Sequence, residues 1–275
     1  MMSGVDGVGR SVVAALVVAW ALACAAVARA VVPEAAAGPS VPVTTMLGDQ
    51  PSALDPTARY TLYLPEGFDP GRRHPVLLIF DPRGRATMAA ELFRPAADRF
   101  GWILVSSNDS RSDGDWAPNR KAIEALWPEV HVLTGADPRR LYATGFSGGA
   151  IVAWALAQMT HEVAGVLSVG GRLAAEVPTD RVGFVHWGAA GSWDFNLTEM
   201  REIEELLERR AVPHRLEVFD GPHSWCSPEL ASEGIAWIDS TEAGGHLRFR
   251  SFRDGSERVL FTLERQCDVG FDFRP

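Results

Sequence analysis

An α/β protein with a mainly parallel central sheet flanked by helices is what this sequence predicts, and three observations predict it. Strand-like and helix-like segments alternate from Arg59 to Ile238, as βαβ units do. Several of the strand-like segments, PVLLIF at 75–80 foremost, are unbroken apolar runs, which suits strands covered on both faces. The chain of 275 residues is 47% hydrophobic, so its apolar side chains suffice for one large core.

The first segment stands apart. Residues 11–28, SVVAALVVAWALACAAVA, carry no charge and are followed by Ala28-Arg29-Ala30, the form of a secretory signal peptide cleaved after residue 30. Two alternatives stay open: a lipid anchor on Cys24, or an uncleaved membrane anchor over residues 11–32. Cleavage removes Asp6, Arg10 and Arg29 and leaves the mature chain one charge more acidic, secreted or periplasmic, with no membrane span. Residues 31–56 are rich in Pro, Ala and Ser and read as a linker or lead-in.

The catalytic unit is expected over 57–240. Tyr60–Leu64 alternates as a strand, and His74 is followed by the buried-strand run at 75–80. A helix is expected over Ala89–Phe100, a strand at 102–107 and a helix from about Pro118 to Leu133. Arg140–Thr144 is strand-like and Ala150–Met159 helix-like. Strands follow at Ala164–Val169 and Gly183–Trp187, a Glu- and Leu-rich helix at Leu197–Arg210, a strand at Arg215–Phe219 and a helix at Pro228–Ile238. In the tail, 241–275, LRFRSF and RVLFTL flank Asp254-Gly255, a two-strand hairpin signal.

Composition excludes several functions. A formal charge of −9 repels phosphate backbones, so no nucleic-acid partner is expected. Three cysteines rule out a disulfide-dense scaffold. Export permits a bond between Cys226 and Cys267, with two buried thiols as the alternative. No Cys/His spacing suggests zinc, and neither G-x-G-x-x-G nor a P-loop is present, so no metal or cofactor is expected. Asp109, Asp113 and Asp115 invite a calcium loop, but Arg111 stands where an oxygen ligand is needed.

What carries chemistry is Gly145-Phe146-Ser147-Gly148-Gly149, a G-x-S-x-G pentapeptide directly after a strand and before a helix. Its glycines permit a sharp turn that lifts the serine hydroxyl above the sheet. The helix N-terminus then presents the Gly148 N–H to developing oxyanion charge. Serine needs a base. Of seven histidines, His223 lies on the loop DGPHSW after the last strand, where it can swing over the serine. His74 and His214 adjoin prolines at strand entrances and read as surface or turn residues, His131 and His161 lie near helix ends, and His186 reads as a core histidine. The base needs an acid to hold its tautomer. Asp194, after strand GFVHW, gives the order Ser, Asp, His; Asp220, three residues from His223, is its competitor.

YATGFSGGA, GSWDFN and FDGPHSW together resemble the α/β-hydrolase superfamily. Within it, LYLPEGFDP followed by PVLLIFDPRG resembles small secreted esterases of the polyhydroxybutyrate depolymerase-like and esterase D-like kind. The resemblance covers about residues 57–240. It implies a triad of Ser147, His223 and Asp194 and a second oxyanion donor on the loop Asp81-Pro82-Arg83-Gly84. Relatives have His-Gly there, and Pro82 has no N–H, so Arg83 N–H aligns as the donor, with Gly84 or a displaced loop as alternatives. Relatives with a cap insert it between the strands here at 164–169 and 183–187, which leaves room only for residues 170–182, so no cap domain is expected. The polar loop 106–119 then lies near the rim, and Trp116, Trp193 and Trp225 are candidates to line the pocket. The activity implied is hydrolysis of carboxylic esters, of small-molecule, lipid or polymer type. Alternatives are a serine peptidase resembling the catalytic domain of prolyl oligopeptidases, or a non-catalytic binding protein on the same fold.

Overall fold

A computed structural model describes residues 45–112, 114–173 and 182–243. The segment 1–30 with Cys24, the tail hairpin about Asp254-Gly255, and Cys267 lie outside the described residues.

Eight strands form one sheet in the order β1-β2-β4-β3-β5-β6-β7-β8. They are β1 (Thr45–Pro51), β2 (Arg59–Leu64), β3 (His74–Phe80), β4 (Ile103–Ser107), β5 (Ala136–Phe146), β6 (Val163–Val169), β7 (Val185–Gly191) and β8 (His214–Phe219). β1 and β2 run antiparallel at one side, and β4 through β8 are parallel neighbours. The unbroken apolar runs behave as their composition demands: β3, β6 and β7 are buried at every residue, whereas β8, at the sheet edge, is half-exposed.

Helices cover both faces. α1 (Ala86–Phe100) and α5 (Pro228–Ala243) lie on one. There Ala89, Phe93, Ala97, Ile235 and Ile238 pack on Leu77, Ile79, Leu104 and Leu167. α2 (Ala117–Val132), α3 (Gly148–Thr160) and α4 (Leu197–Arg209) lie on the other, with Ile123, Leu126, Val152, Leu156, Ile203 and Leu207 facing Val76, Leu78, Val105 and Val166. α4 is amphipathic and buries only Met200, Ile203 and Leu207. α3, pressed on β5, β6 and β3, is buried over most of its circumference, which explains its apolar sequence AIVAWALAQM.

The segment 31–56 differs from its reading as a lead-in, because residues 45–51 form β1. Gly48, Asp49 and Pro51 give that stretch a turn-like look, and the pairing with β2 does slip between Leu47 and Gln50, where Asp49 has φ 52°. The chain just after β1 is tied down by one carboxylate. Glu129 on α2 accepts from Ser52 Oγ at 2.6 Å, Ala53 N at 2.9 Å and Tyr60 Oη at 2.9 Å. His74 also differs from a surface residue: it is buried between the carbonyls of Gly101 and Asp69. His186 is a core residue as expected, and burial, with His214 nearby, pushes it down to about 3.

Because β3 to β8 all point the same way, the turns at their C-terminal ends gather at one edge of the sheet. That edge is where an open α/β sheet places a site.

Candidate active site

The turn after β5 is dictated by contacts that exclude side chains. A Cβ on Gly145 would lie 2.2 Å from Gly149 C, and one on Gly149 would lie 1.9 Å from the Phe80 carbonyl oxygen. Strand, turn and helix can close this tightly only with glycine at both places. Ser147 between them takes φ 53° and ψ −121°, an unfavourable conformation for a residue with a side chain, of order 1–3 kcal/mol. Its N–H donates to the Val169 carbonyl at 2.9 Å, which anchors the strained residue to β6. The Gly148 N–H lies in the first turn of α3, where no carbonyl of the helix reaches it.

Ser147 Oγ stands 2.9 Å from His223 Nε2, and His223 Nδ1 stands 2.8 Å from Asp194 Oδ1. The pattern fits a neutral imidazole with its proton on Nδ1, donating to the carboxylate, while Nε2 accepts from the serine hydroxyl. The Asp194 side chain is fully buried. Its Oδ1 accepts a second bond, from the Asn196 N–H at 2.8 Å, and Asn196 Nδ2 donates to the Gly170 carbonyl at 2.8 Å. Its Oδ2 is buried with no hydrogen-bond partner among the described residues, so the charge is shared only by His223 and one amide. Gly170, at φ 52°, makes room: a Cβ there would lie 2.6 Å from Asp194 Oδ2. Asp220, the competing acid, is exposed and accepts from Ser192 Oγ at 3.2 Å. The structure thus brings Ser147, His223 and Asp194 together and leaves Asp220 outside.

Arg83 is a correction. Its N–H is closed onto Asp81 Oδ1 at 2.9 Å, and the Gly84 N–H onto the Asp81 carbonyl at 3.0 Å, so neither amide is open toward the serine. The physical reason is Asp81 itself, whose side chain is completely buried. That carboxylate collects Arg83 N–H, Arg85 N–H, the Arg85 guanidinium and Trp225 Nε1. Burial raises its proton affinity, but the bonds from Arg85, Trp225 and the two amides outweigh burial and hold the carboxyl below the usual range. The ion pair on Asp81 is made by Arg85, not by Arg83.

Of the three tryptophans, Trp225 is half-buried, bonded to Asp81, edge-on to Phe93 and tilted against Phe146. It braces the loop that carries His223. Trp193 is 75% exposed and Trp116 is also exposed. Phe195, which the motifs do not single out, is 71% exposed with its ring centroid 4.1 Å from that of His223. Its position beside the acid on the same turn is the signal that could have found it. Cys226 is buried, which pushes its thiol up to about 12. Among the described residues no cluster of His, Cys, Asp or Glu is placed to hold a metal ion.

No protein-family model matches the sequence, and no curated protein matches it. Solved structures do. The S-formylglutathione hydrolase of Staphylococcus aureus superposes with a TM-score of 0.59 at 15% identity over 74% of this chain and 99% of that one. An esterase of Pyrobaculum calidifontis gives 0.58 at 15% identity over 74% of this chain and 87% of that one. The fluorophosphonate-binding serine hydrolase F of Staphylococcus aureus gives 0.56 at 13% identity over 73% and 99%. Sheet order, flanking helices and these superpositions agree: the chain has the α/β-hydrolase fold.

Proposed function

We propose that this chain is an exported serine hydrolase that cleaves carboxylic esters. The observation that carries the proposal is the unbroken hydrogen-bonded line from Ser147 Oγ through His223 to the buried Asp194, at 2.9 and 2.8 Å. In the acylation step Ser147 Oγ attacks the ester carbonyl carbon as His223 Nε2 takes its proton. The carbonyl electron pair moves onto oxygen, which faces the Gly148 N–H. Asp194 stabilises the imidazolium, which then protonates the departing alkoxide and leaves an acyl-serine. Water attacks the acyl-serine by the same steps in reverse roles and releases the acid. Preference for esters is supported by the activities named for two of the superposed proteins, an esterase and an S-formylglutathione hydrolase. Export is supported by the apolar stretch 11–28 and the Ala28-Arg29-Ala30 pattern.

Fluorophosphonate labelling and hydrolysis of p-nitrophenyl acyl esters test the proposal together. Wild type is expected to label and turn over, while Ser147→Ala loses both, its turnover by about 10⁴-fold or more. Asp194→Asn is expected to lose about 10⁴-fold in kcat, with Asp220→Asn near wild type. Equal labelling of wild type and Ser147→Ala overturns the nucleophile. Turnover of aminoacyl anilides in preference to esters moves the assignment to a peptidase, and no turnover of either moves it to a binding protein.

A further inference from the structure

We propose that the Ser112 hydroxyl, on the loop between β4 and α2, is the second donor of the oxyanion hole, across from the Gly148 N–H. The inference rests on the ester hydrolysis proposed for Ser147 and assigns one more catalytic residue to it. A tetrahedral oxyanion is held by donors fixed where its charge develops, and one amide leaves that stabilisation incomplete. The loop after β3 would ordinarily supply the partner, and here each of its amides is accounted for. Pro82 has no N–H. Arg83 N–H donates to Asp81 Oδ1 at 2.9 Å, Gly84 N–H to the Asp81 carbonyl at 3.0 Å, and Arg85 N–H to Asp81 Oδ1 at 3.2 Å. On the nucleophile's own turn, the Ser147 N–H is bonded to the Val169 carbonyl.

What stands against Gly148 instead is Ser112. Its Cβ lies 2.3 Å, and its Oγ 3.4 Å, from the point where a Cβ on Gly148 would stand. The absence of a side chain at residue 148 therefore lets the serine of a different loop reach the first turn of α3. Its place there is built rather than incidental. Ser112 N–H donates to the Pro82 carbonyl at 3.0 Å, and Ser110 Oγ to the Asp81 carbonyl at 2.8 Å. The buried Asn119 clamps the preceding residue from both sides: it accepts from Arg111 N–H at 2.9 Å and donates to the Arg111 carbonyl at 2.7 Å. Among the described residues the hydroxyl itself is lightly engaged, with one long contact of 3.5 Å to the Pro82 carbonyl. A serine O–H rotates freely about its C–O bond, so it can turn from that carbonyl to an oxyanion without moving the loop. The carboxylate that closes the β3 turn and the hydroxyl that replaces its lost donor are thus parts of one arrangement, since Ser110 and Ser112 hold their loop to Asp81 and Pro82.

The test is the kinetics of full-length Ser112→Ala, Ser112→Thr and Ser147→Ala on p-nitrophenyl acetate, with thermal midpoints measured beside them. Ser112→Ala is expected to lose about 10²-fold in kcat with KM within about twofold and an unchanged melting midpoint, because the donor acts on the transition state. Ser112→Thr, which keeps the hydroxyl, is expected to recover most of that loss. Affinity for a phenylboronic acid, which forms a tetrahedral adduct on the serine, is expected to fall in Ser112→Ala and return in Ser112→Thr. Ser112→Ala with kcat within twofold of wild type overturns the proposal, as does a loss that Ser112→Thr does not recover. Activity surviving in Ser147→Ala would instead overturn the nucleophile, so the two failures are told apart.

Discussion

The turns after β3 and after β5 lie side by side at the same edge of the sheet, touching where Gly149 meets the Phe80 carbonyl, and they orient their polar groups in opposite senses. After β5 the backbone is forced outward. Glycines at 145 and 149 let strand and helix close, Ser147 takes a strained conformation with its hydroxyl on His223, and the Gly148 amide has no carbonyl of its own helix to meet. After β3 the backbone is drawn inward. Asp81 lies buried at the centre, and the amides of Arg83 and Arg85, the Arg85 guanidinium and the Trp225 indole all point at it. The contrast teaches that steric closure and charge satisfaction are two different ways to fix a turn at this edge of the sheet. Steric closure leaves polar groups free to meet a substrate, whereas satisfying a buried carboxylate consumes them. A turn of the second kind braces the site through Trp225 but contributes no amide to it.

The largest effect is expected from breaking the steric closure. In Gly149→Ala the new methyl would sit 1.9 Å from a backbone oxygen of the central strand β3, an atom that cannot move without moving the sheet. Loss of about 4 kcal/mol or more is expected, enough to lower the melting midpoint by about 10 °C or to abolish soluble protein. Thermal melting followed by circular dichroism checks it. A midpoint within about 2 °C of wild type would mean that the two turns do not meet as described.

Breaking the charge-satisfied turn is expected to cost less and to depend on pH. Asp81→Asn keeps an acceptor for the amides but removes the charge that binds Arg85, at about 2 kcal/mol in urea unfolding at pH 7. Asp81 is held below its ordinary value of 3.8. Its stabilisation is therefore complete above that value and is lost as pH falls below it, through the lower folded value. The gap between Asp81→Asn and wild type is expected to close as the pH is brought below 3.8. A gap that stays unchanged from pH 7 down to the acid limit of the folded protein would show that charge is not what closes the turn.

The two turns also differ in how far the sequence reveals them. The β5 turn is readable because its physics is local: G-x-S-x-G after an apolar strand has one economical backbone solution. His223 and Asp194 are readable because each follows a strand, and chain order selects them. The β3 turn misleads because its outcome depends on residues far away in sequence. Nothing in DPRG announces that Asp81 will be buried against Trp225, which lies 144 residues further on. Ser112 is hidden for the same reason, in a polar loop whose approach to Gly148 is set by Asn119 and the Pro82 carbonyl. β1 escapes because an edge strand with a register slip needs no alternating pattern, while the buried strands β3, β6 and β7 could hardly be anything else.

A third turn, after β7, combines both behaviours and yields the smallest expected effect. Asp194 faces inward, buried and bonded like Asp81, while its neighbours Trp193 and Phe195 face outward and are 75% and 71% exposed. Large apolar rings left in water on both sides of a buried carboxylate gain nothing for folding. Phe195 instead lies with its ring centroid 4.1 Å from that of His223, beside the ring that hands a proton to the leaving group in the proposed mechanism. An apolar alcohol group arriving there would bury the ring and be held against it. Removing one such aromatic contact is worth about 0.5–1.5 kcal/mol, so Phe195→Ala is expected to raise KM about three- to tenfold for benzyl or naphthyl esters. For methyl esters KM is expected to change little, with kcat kept within a few-fold, because Ser147, His223 and Asp194 keep their bonds. Steady-state kinetics on a series of esters that differ only in the alcohol check it. A KM that rises equally for methyl and naphthyl esters would place the role of Phe195 in holding the imidazole, and would make the β7 turn inward-facing throughout, like the turn after β3.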